Sequence, residues 1–195
     1  MDAGLQLFAA RPVDAVPIDD IVAAAGVAKG SFFNHFEDKQ HFAAAITTEI
    51  RLDIEARIAE ANKDIVDPLE RLAGGMRTAA EYALAERDRT MVMVAGFKLA
   101  TDRDHPLNAG LKKDVDAACS MGLLRPEAQE AGLLLWLGAC HSVMANIIER
   151  DLTRPKAAKR IHDIMLMALI GLGVKQAKSR QLAKQSFERM LKSSG

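Results

Sequence analysis

Five polar side chains lie within one short stretch: Lys29, Ser31, Asn34, His35 and Lys39. Phe32, Phe33 and Phe36 are interleaved with them. Lysine donates to guanine acceptors, serine bonds either way, and asparagine suits adenine. Gly30 carries no side chain and leaves room for close backbone approach. Histidine and lysine can also hold phosphates, contacts that set register without reading sequence. The chemistry on offer is recognition of a nucleic acid, if one helix presents these residues together.

The flanking residues supply that helix and a second one to brace it. Ile18, Ile21 and Val22 give a short helix an apolar face, which Ala23, Ala24 and Ala25 continue. Gly26 ends it, because glycine takes a left-handed C-terminal residue at little cost. Val27 pins the turn. A second helix is expected from about Lys29 to His35, with some of its phenylalanines reaching back to the first. Two short helices about a tight glycine turn make a helix-turn-helix, whose second helix enters the DNA major groove.

The run Ala25-Gly26-Val27-Ala28-Lys29-Gly30-Ser31-Phe32-Phe33-Asn34-His35-Phe36, with Lys39 three residues on, resembles the DNA-binding signature of TetR/AcrR-type transcriptional regulators. Ala3, Leu7, Phe8 and Ile21 fall where that family places the core of its first two helices. The resemblance covers roughly residues 3–46, about a quarter of the chain. It implies a DNA-binding domain over 1–48, with Pro17, Lys29, Gly30, Ser31, Phe33, Asn34, His35 and Lys39 at the DNA. Of these, His35 and Lys39 match phosphate-holding positions. For 49–195 it implies an all-helical ligand-binding and dimerisation domain, paired two-fold through a four-helix bundle.

Four positions depart from the family pattern. Pro17 stands where an alcohol residue usually caps the second helix; it suits a first turn but has no side-chain oxygen. Val22 replaces a small residue. Ala28 replaces the Ser or Thr N-cap of the recognition helix, a loss of about 1 kcal/mol. Phe33 replaces a tyrosine whose hydroxyl reaches a phosphate. Each change weakens docking and leaves the motif intact.

With 195 residues, 49% of them apolar and only 5% aromatic, the chain has ample material for a packed, helix-rich core. Its two cysteines, Cys119 and Cys140, form neither a disulfide framework nor a C-x-x-C, which fits a reducing cytoplasm. The opening residues show no n-region and apolar h-region, so a signal peptide is not expected, and the longest apolar run, 132–140, is too short to cross a bilayer. Net charge is zero, yet residues 1–48 hold three basic against six acidic side chains, a net of −3. Affinity for DNA draws on basic residues near phosphates. The family resemblance implies a few more residues, often basic, ahead of the first helix, so a short start is one expected source of the deficit.

Beyond the motif, Phe42, Ile46, Ile50, Ile54 and Ile58 recur at three- and four-residue spacing and predict an amphipathic helix from about 39 to 60. A helix after Pro68 carries Gly74-Gly75 at its centre, a sign of either close packing or a kink that opens a pocket. Residues 89–101 alternate like a strand but find no partner strand, so a helix is expected from context. A helix over 107–122 follows. Two long apolar helices, at 127–150 and 156–173, are the expected homodimer pair. The last, from 176 to 192, is amphipathic and basic.

Met76, Tyr82, Met93, Phe97, Trp136, Cys140, His141 and Asn146 are candidate ligand contacts, since a methionine-lined pocket with few polar groups suits a largely apolar small molecule. Neighbouring helix residues point about 100° apart, so Cys140 and His141 do not activate each other. No phosphate loop, nucleophile motif or di-metal pattern is present, and neither catalysis nor a cofactor is expected. The sequence therefore predicts an all-α chain: a cytoplasmic, dimeric regulator binding a DNA operator and a small effector, more a repressor than an activator, with no membrane partner. The alternative is a helical ligand- or partner-binding protein with a degenerate or truncated DNA head.

Overall fold

The computed structural model describes residues 1–96 and 103–192, which build ten α-helices, two 3-10 turns and no strand. Helices α1 (Asp2–Ala10), α2 (Ile18–Ala25) and α3 (Lys29–Phe33) form a head. From it, α4 (Lys39–Asn62) leads into α5 (Pro68–Ala85), α6 (Arg87–Gly96), α7 (Ala109–Ser120), α8 (Ala128–Glu149), α9 (Arg154–Gly171) and α10 (Gln176–Lys192).

The head closes around the Phe42 ring. Phe8, Phe32 and Phe36 approach it with centroids at 5.9, 5.4 and 4.7 Å, tilted or edge-on as aromatic quadrupoles prefer. Gly4 lets α1 sit this close, for a Cβ there would lie 2.3 Å from Phe42 Cε1 and 3.0 Å from Ile46 Cδ1. Gly4→Ala is therefore expected to destabilise the head by about 1–3 kcal/mol through overpacking, beyond the helix propensity that alanine adds. Hydrogen exchange at α1 and α3 amides checks this; unchanged protection would mean that the Phe42 ring has room to yield.

Gly26 ends α2 at φ 66°, with the Val27 N–H on Val22 O at 3.1 Å and the Gly26 N–H on Ala23 O at 3.2 Å. These two bonds satisfy carbonyls that a helix end leaves open. As Pro17 and Ala28 foretell, α2 and α3 start without a side-chain cap, whereas Asp38 caps α4, accepting from the His41 N–H at 2.7 Å. Helix α3 is shorter than expected, stopping at Phe33 with Asn34 as its C-cap. The stretch Val13–Ala15 makes a 3-10 turn.

Helix α5 runs through the middle of the body, packed by α4, α6, α7, α8, α9 and α10. Its Ala73, Gly74, Ala79, Ala80 and Ala83 are buried, and small residues are what let so many neighbours approach. Gly74 and Gly75 divide the two roles that the sequence suggests. A Cβ on Gly74 would lie 2.3 Å from Asn62 Oδ1, so Gly74 serves close packing, and Gly75 lines a cavity beside Ile58 in an unbroken helix.

The alternating run after Arg87 is helical as far as it is described. Val92 and Met93 are buried side by side while Met91 is exposed, a burial pattern that belongs to a helix packed on α1, α4 and α8. Helix α8 begins at Ala128, because Pro126 and Glu127 make a turn held by the Arg125 N–H on Leu172 O at 2.8 Å. At 22 residues and mean hydropathy 1.6, α8 has the length and composition of a membrane-crossing helix, which the unbroken run 132–140 understates. Its Leu133, Trp136, Val143, Met144 and Ile147 are buried in the bundle.

Candidate DNA-binding face and ligand cavity

Helix α3 and the residues after it expose Lys29, Gly30, Ser31, Phe33, Asn34 and His35 while Phe32 is buried. Pro17 is exposed at the start of α2, and Lys39 is half-buried at the start of α4. Nothing lies within 4 Å of a Cβ placed on Gly30, so that backbone is open to approach. Every basic side chain of residues 1–48 has an internal partner. Lys29 pairs with Asp19 at 2.7 Å, Arg11 with Asp20 at 2.9 Å, and Lys39 Nζ donates to the Asp14 carbonyl at 2.9 Å.

Helices α4, α5, α7 and α8, with Met93 of α6 and the turn at 106–108, surround a cavity of about 550 Å³. Ile54, Ile58, Leu72, Leu111, Trp136 and Met144 supply much of its apolar wall. Two ion pairs interrupt that wall. Arg51, 9% exposed, bonds Glu55 Oε1 at 3.0 Å, the Leu107 carbonyl at 3.3 Å and Asn108 Oδ1 at 3.1 Å. Arg71 bonds Asp114 Oδ1 at 2.6 Å and the carbonyls of Ile65 and Val66. Burial raises the pKa of both Glu55 and Asp114 from their ordinary values despite the arginines beside them. Burial also pushes the Cys140 thiol up to about 12, which keeps it protonated and poorly nucleophilic.

His141 is held below its ordinary 6.5 by burial, against a weaker opposite pull from Glu149. A histidine whose folded pKa is depressed leaves the unfolded chain binding more protons as pH falls below 6.5, so its contribution to stability is present above that pH and lost below it. The urea midpoint is expected to drop between pH 7 and pH 5, and His141→Gln to flatten the drop. Parallel pH curves for the two proteins would refute this role.

Of the candidate ligand contacts, Met93, Trp136, Cys140 and His141 line the cavity. Three others do not. Met76 is fully buried about 100° round α5 from the cavity-lining Gly75. Tyr82 lies two turns beyond Gly75, its hydroxyl accepting from Arg89 Nε at 2.8 Å and its ring under Arg57 at 4.7 Å. Asn146, five residues past His141, is turned about 140° away on α8. Phe97 lies outside the described residues.

Residues 1–46 match the family described as bacterial regulatory proteins, tetR family. The HTH-type transcriptional repressor DhaR of Mycobacterium sp. (strain GP1) is 38% identical over 73 residues. That stretch spans 37% of this chain and 37% of the repressor's length. The N-terminal head is therefore similar to the DNA-binding domain of tetR-family regulators. The chain's whole fold has solved counterparts. RolR in complex with resorcinol superposes with a TM-score of 0.68 at 21% identity, covering 94% of this chain and 90% of that one. AibR in complex with isovaleryl coenzyme A and operator DNA gives 0.59 at 20% identity, covering 85% and 93%.

Sequence reasoning reached the apolar side of the cavity better than the polar side. It missed Arg51, Glu55, Asn62, Arg71 and Asp114. A signal for three of them was present: Arg51, Glu55 and Asn62 stand at helical spacing from Ile54 and Ile58, so polar groups share that face of α4. Arg71 and Asp114 are 43 residues apart, and only the packing of α5 on α7 pairs them.

Proposed function

We propose that this chain is a homodimeric, ligand-responsive regulator that represses from a near-palindromic operator and releases it when a small, largely apolar molecule fills the cavity. The observation that carries this reading is the continuity of α4. Phe42 and Ile46 of that helix pack the DNA head, and Ile54, Glu55 and Ile58 of the same helix wall the cavity. An occupant that tilts α4 moves the head. Helix α6 adds a second link, since it packs on α1 and supplies Met93 to the cavity. AibR, solved with both an acyl coenzyme A and operator DNA, and RolR, solved with resorcinol, support a fold that serves both partners.

The head over 1–48 would contact DNA through Lys29, Gly30, Ser31 and Asn34 at base edges, with Pro17, Phe33, His35 and Lys39 along the backbone. The body over 49–195 would hold the effector and the dimer interface. Helices α8 and α9 expose Leu134, Leu135, Met167 and Ile170, with Met167 72% exposed, an apolar surface that a second copy would cover. Such a dimer sets two recognition helices about one DNA turn, ~34 Å, apart. The reading assigns the chain no catalytic role and places it in the cytoplasm.

A second reading, a ligand-binding protein with a degenerate head, is favoured by one observation: a head of charge −3 whose three basic side chains all have internal partners. Selection from a random duplex pool at low salt separates the two. Enrichment of a palindrome supports the regulator, and no enrichment overturns it. By linkage, an inducing ligand must weaken operator binding by the factor that operator weakens ligand binding.

A further inference from the structure

The cavity's polar groups identify a class of occupant, an inference that rests on the ligand-responsive reading. We propose that the cavity takes a neutral, hydroxyl-bearing aromatic molecule, a phenol, whose hydroxyl donates to the Glu55 carboxylate, and that it rejects the matching carboxylate.

Compensation of charge is the first ground. Arg51 is the buried cation of the cavity, and its Nε and Nη2 already serve Glu55 Oε1, the Leu107 carbonyl and Asn108 Oδ1. Arg71 is likewise matched by Asp114 and by two backbone carbonyls. Lys63 is exposed and pairs with Glu60 at 2.5 Å, and Lys113 is also exposed. The interior thus presents two neutral pairs, a thiol, an imidazole and the uncharged Asn62 amide. An anionic ligand would meet Glu55 and Asp114 with their cations already engaged, and burying a charge without a partner is strongly unfavourable.

The second ground is an open acceptor. Arg51 takes Glu55 Oε1, while Oε2 has no hydrogen bond among the described residues. Gly110 of α7 faces that oxygen with no side chain to cover it; even a Cβ there would stop 3.9 Å away. A ligand must bring a donor to this position. A hydroxyl bonded to a carboxylate makes a short, charge-assisted bond, and a phenolic hydroxyl, the more acidic kind with pKa about 10, donates well.

The third ground is the wall. Trp136, Met93 and Met144 offer an aromatic face and two polarisable thioethers, which favour a ring over a plain alkyl chain. The volume of about 550 Å³ exceeds that of a bare phenol and leaves space for an apolar substituent.

Trp136 is the only tryptophan and lines the cavity, so its fluorescence reports occupancy directly. The full chain is titrated with 4-propylphenol and with 4-propylbenzoate at pH 7.5. The phenol is expected to give a saturable change, with the benzoate at least 10-fold weaker. Glu55→Gln, in a protein verified as folded by circular dichroism, is expected to weaken the phenol at least 10-fold and to narrow the preference. A benzoate that binds as tightly as the phenol overturns the proposal. So does a phenol that fails to saturate in the wild type, a comparison that needs no variant. Operator binding is measured separately on the same samples. A phenol that binds without weakening operator binding counts against the regulatory reading and leaves this assignment standing. Operator binding without any phenol binding does the reverse.

Discussion

Arg51→Met is expected to destabilise the fold by about 3 kcal/mol, because it removes one partner of a buried pair and leaves the other behind. The arginine is 9% exposed and holds three acceptors, on α4, on the turn before α7 and on the Asn108 side chain. Methionine keeps the apolar bulk but leaves Glu55, the Leu107 carbonyl and Asn108 Oδ1 without that donor. Glu55 already has a raised pKa from burial, so losing Arg51 drives it further toward the neutral acid and limits the damage. For a chain of this size the effect corresponds to a thermal midpoint about 6–12 °C lower. Urea unfolding at fixed protein concentration is the measurement, since dimerisation would otherwise shift the midpoint. Replacing Glu55 with methionine in the same chain is expected to restore most of the loss, because two apolar residues can substitute for a buried pair at little net cost. A single-variant loss under about 1 kcal/mol would show instead that water reaches the pair and screens it.

The head was the most legible part of the sequence, for local reasons. Gly26 imposes the turn, Asp38 imposes a helix start, and the phenylalanines lie within a few residues of one another. Its tight packing was less legible, since Gly4 meets Phe42 and Ile46 from 38 and 42 residues away. The body follows from apolar periodicity, which places α4, α8 and α9 to within a few residues. Periodicity says which residues are buried, however, and not against what. Met76, Met93 and Tyr82 are all buried, yet only Met93 borders the cavity, because that depends on the rotation of each helix against its neighbours. The polar ends of the cavity were hidden for a related reason. A charged residue on a helix reads as a solvated face unless its partner is known, and Asp114 and Asn108 are distant in sequence from Arg71 and Arg51.

Lys29→Glu is expected to weaken operator binding by about 100-fold or more while leaving the fold intact. Lysine at the start of the recognition helix is a candidate base contact, worth about 1–3 kcal/mol of discrimination, and a carboxylate there adds repulsion from every nearby phosphate. The stability of the head does not depend on the pair, since Lys29 and Asp19 are 54% and 71% exposed and surface bridges of this kind contribute little. The opposite change is the sharper test. Asp19 holds Lys29 Nζ at 2.7 Å and adds to the head's negative charge, so it competes with DNA for the same ammonium group. Asp19→Asn frees the lysine and is expected to tighten operator binding several-fold at low salt. It should also steepen the fall of log affinity with log salt by about one counterion. Fluorescence anisotropy on a selected operator over a salt series reads both variants. Tightening by Asp19→Asn with near-loss by Lys29→Glu would mean that the internal ion pair sets the affinity of a working head. Identical salt slopes in all three proteins would place Lys29 away from the DNA and return weight to a head that has lost its function.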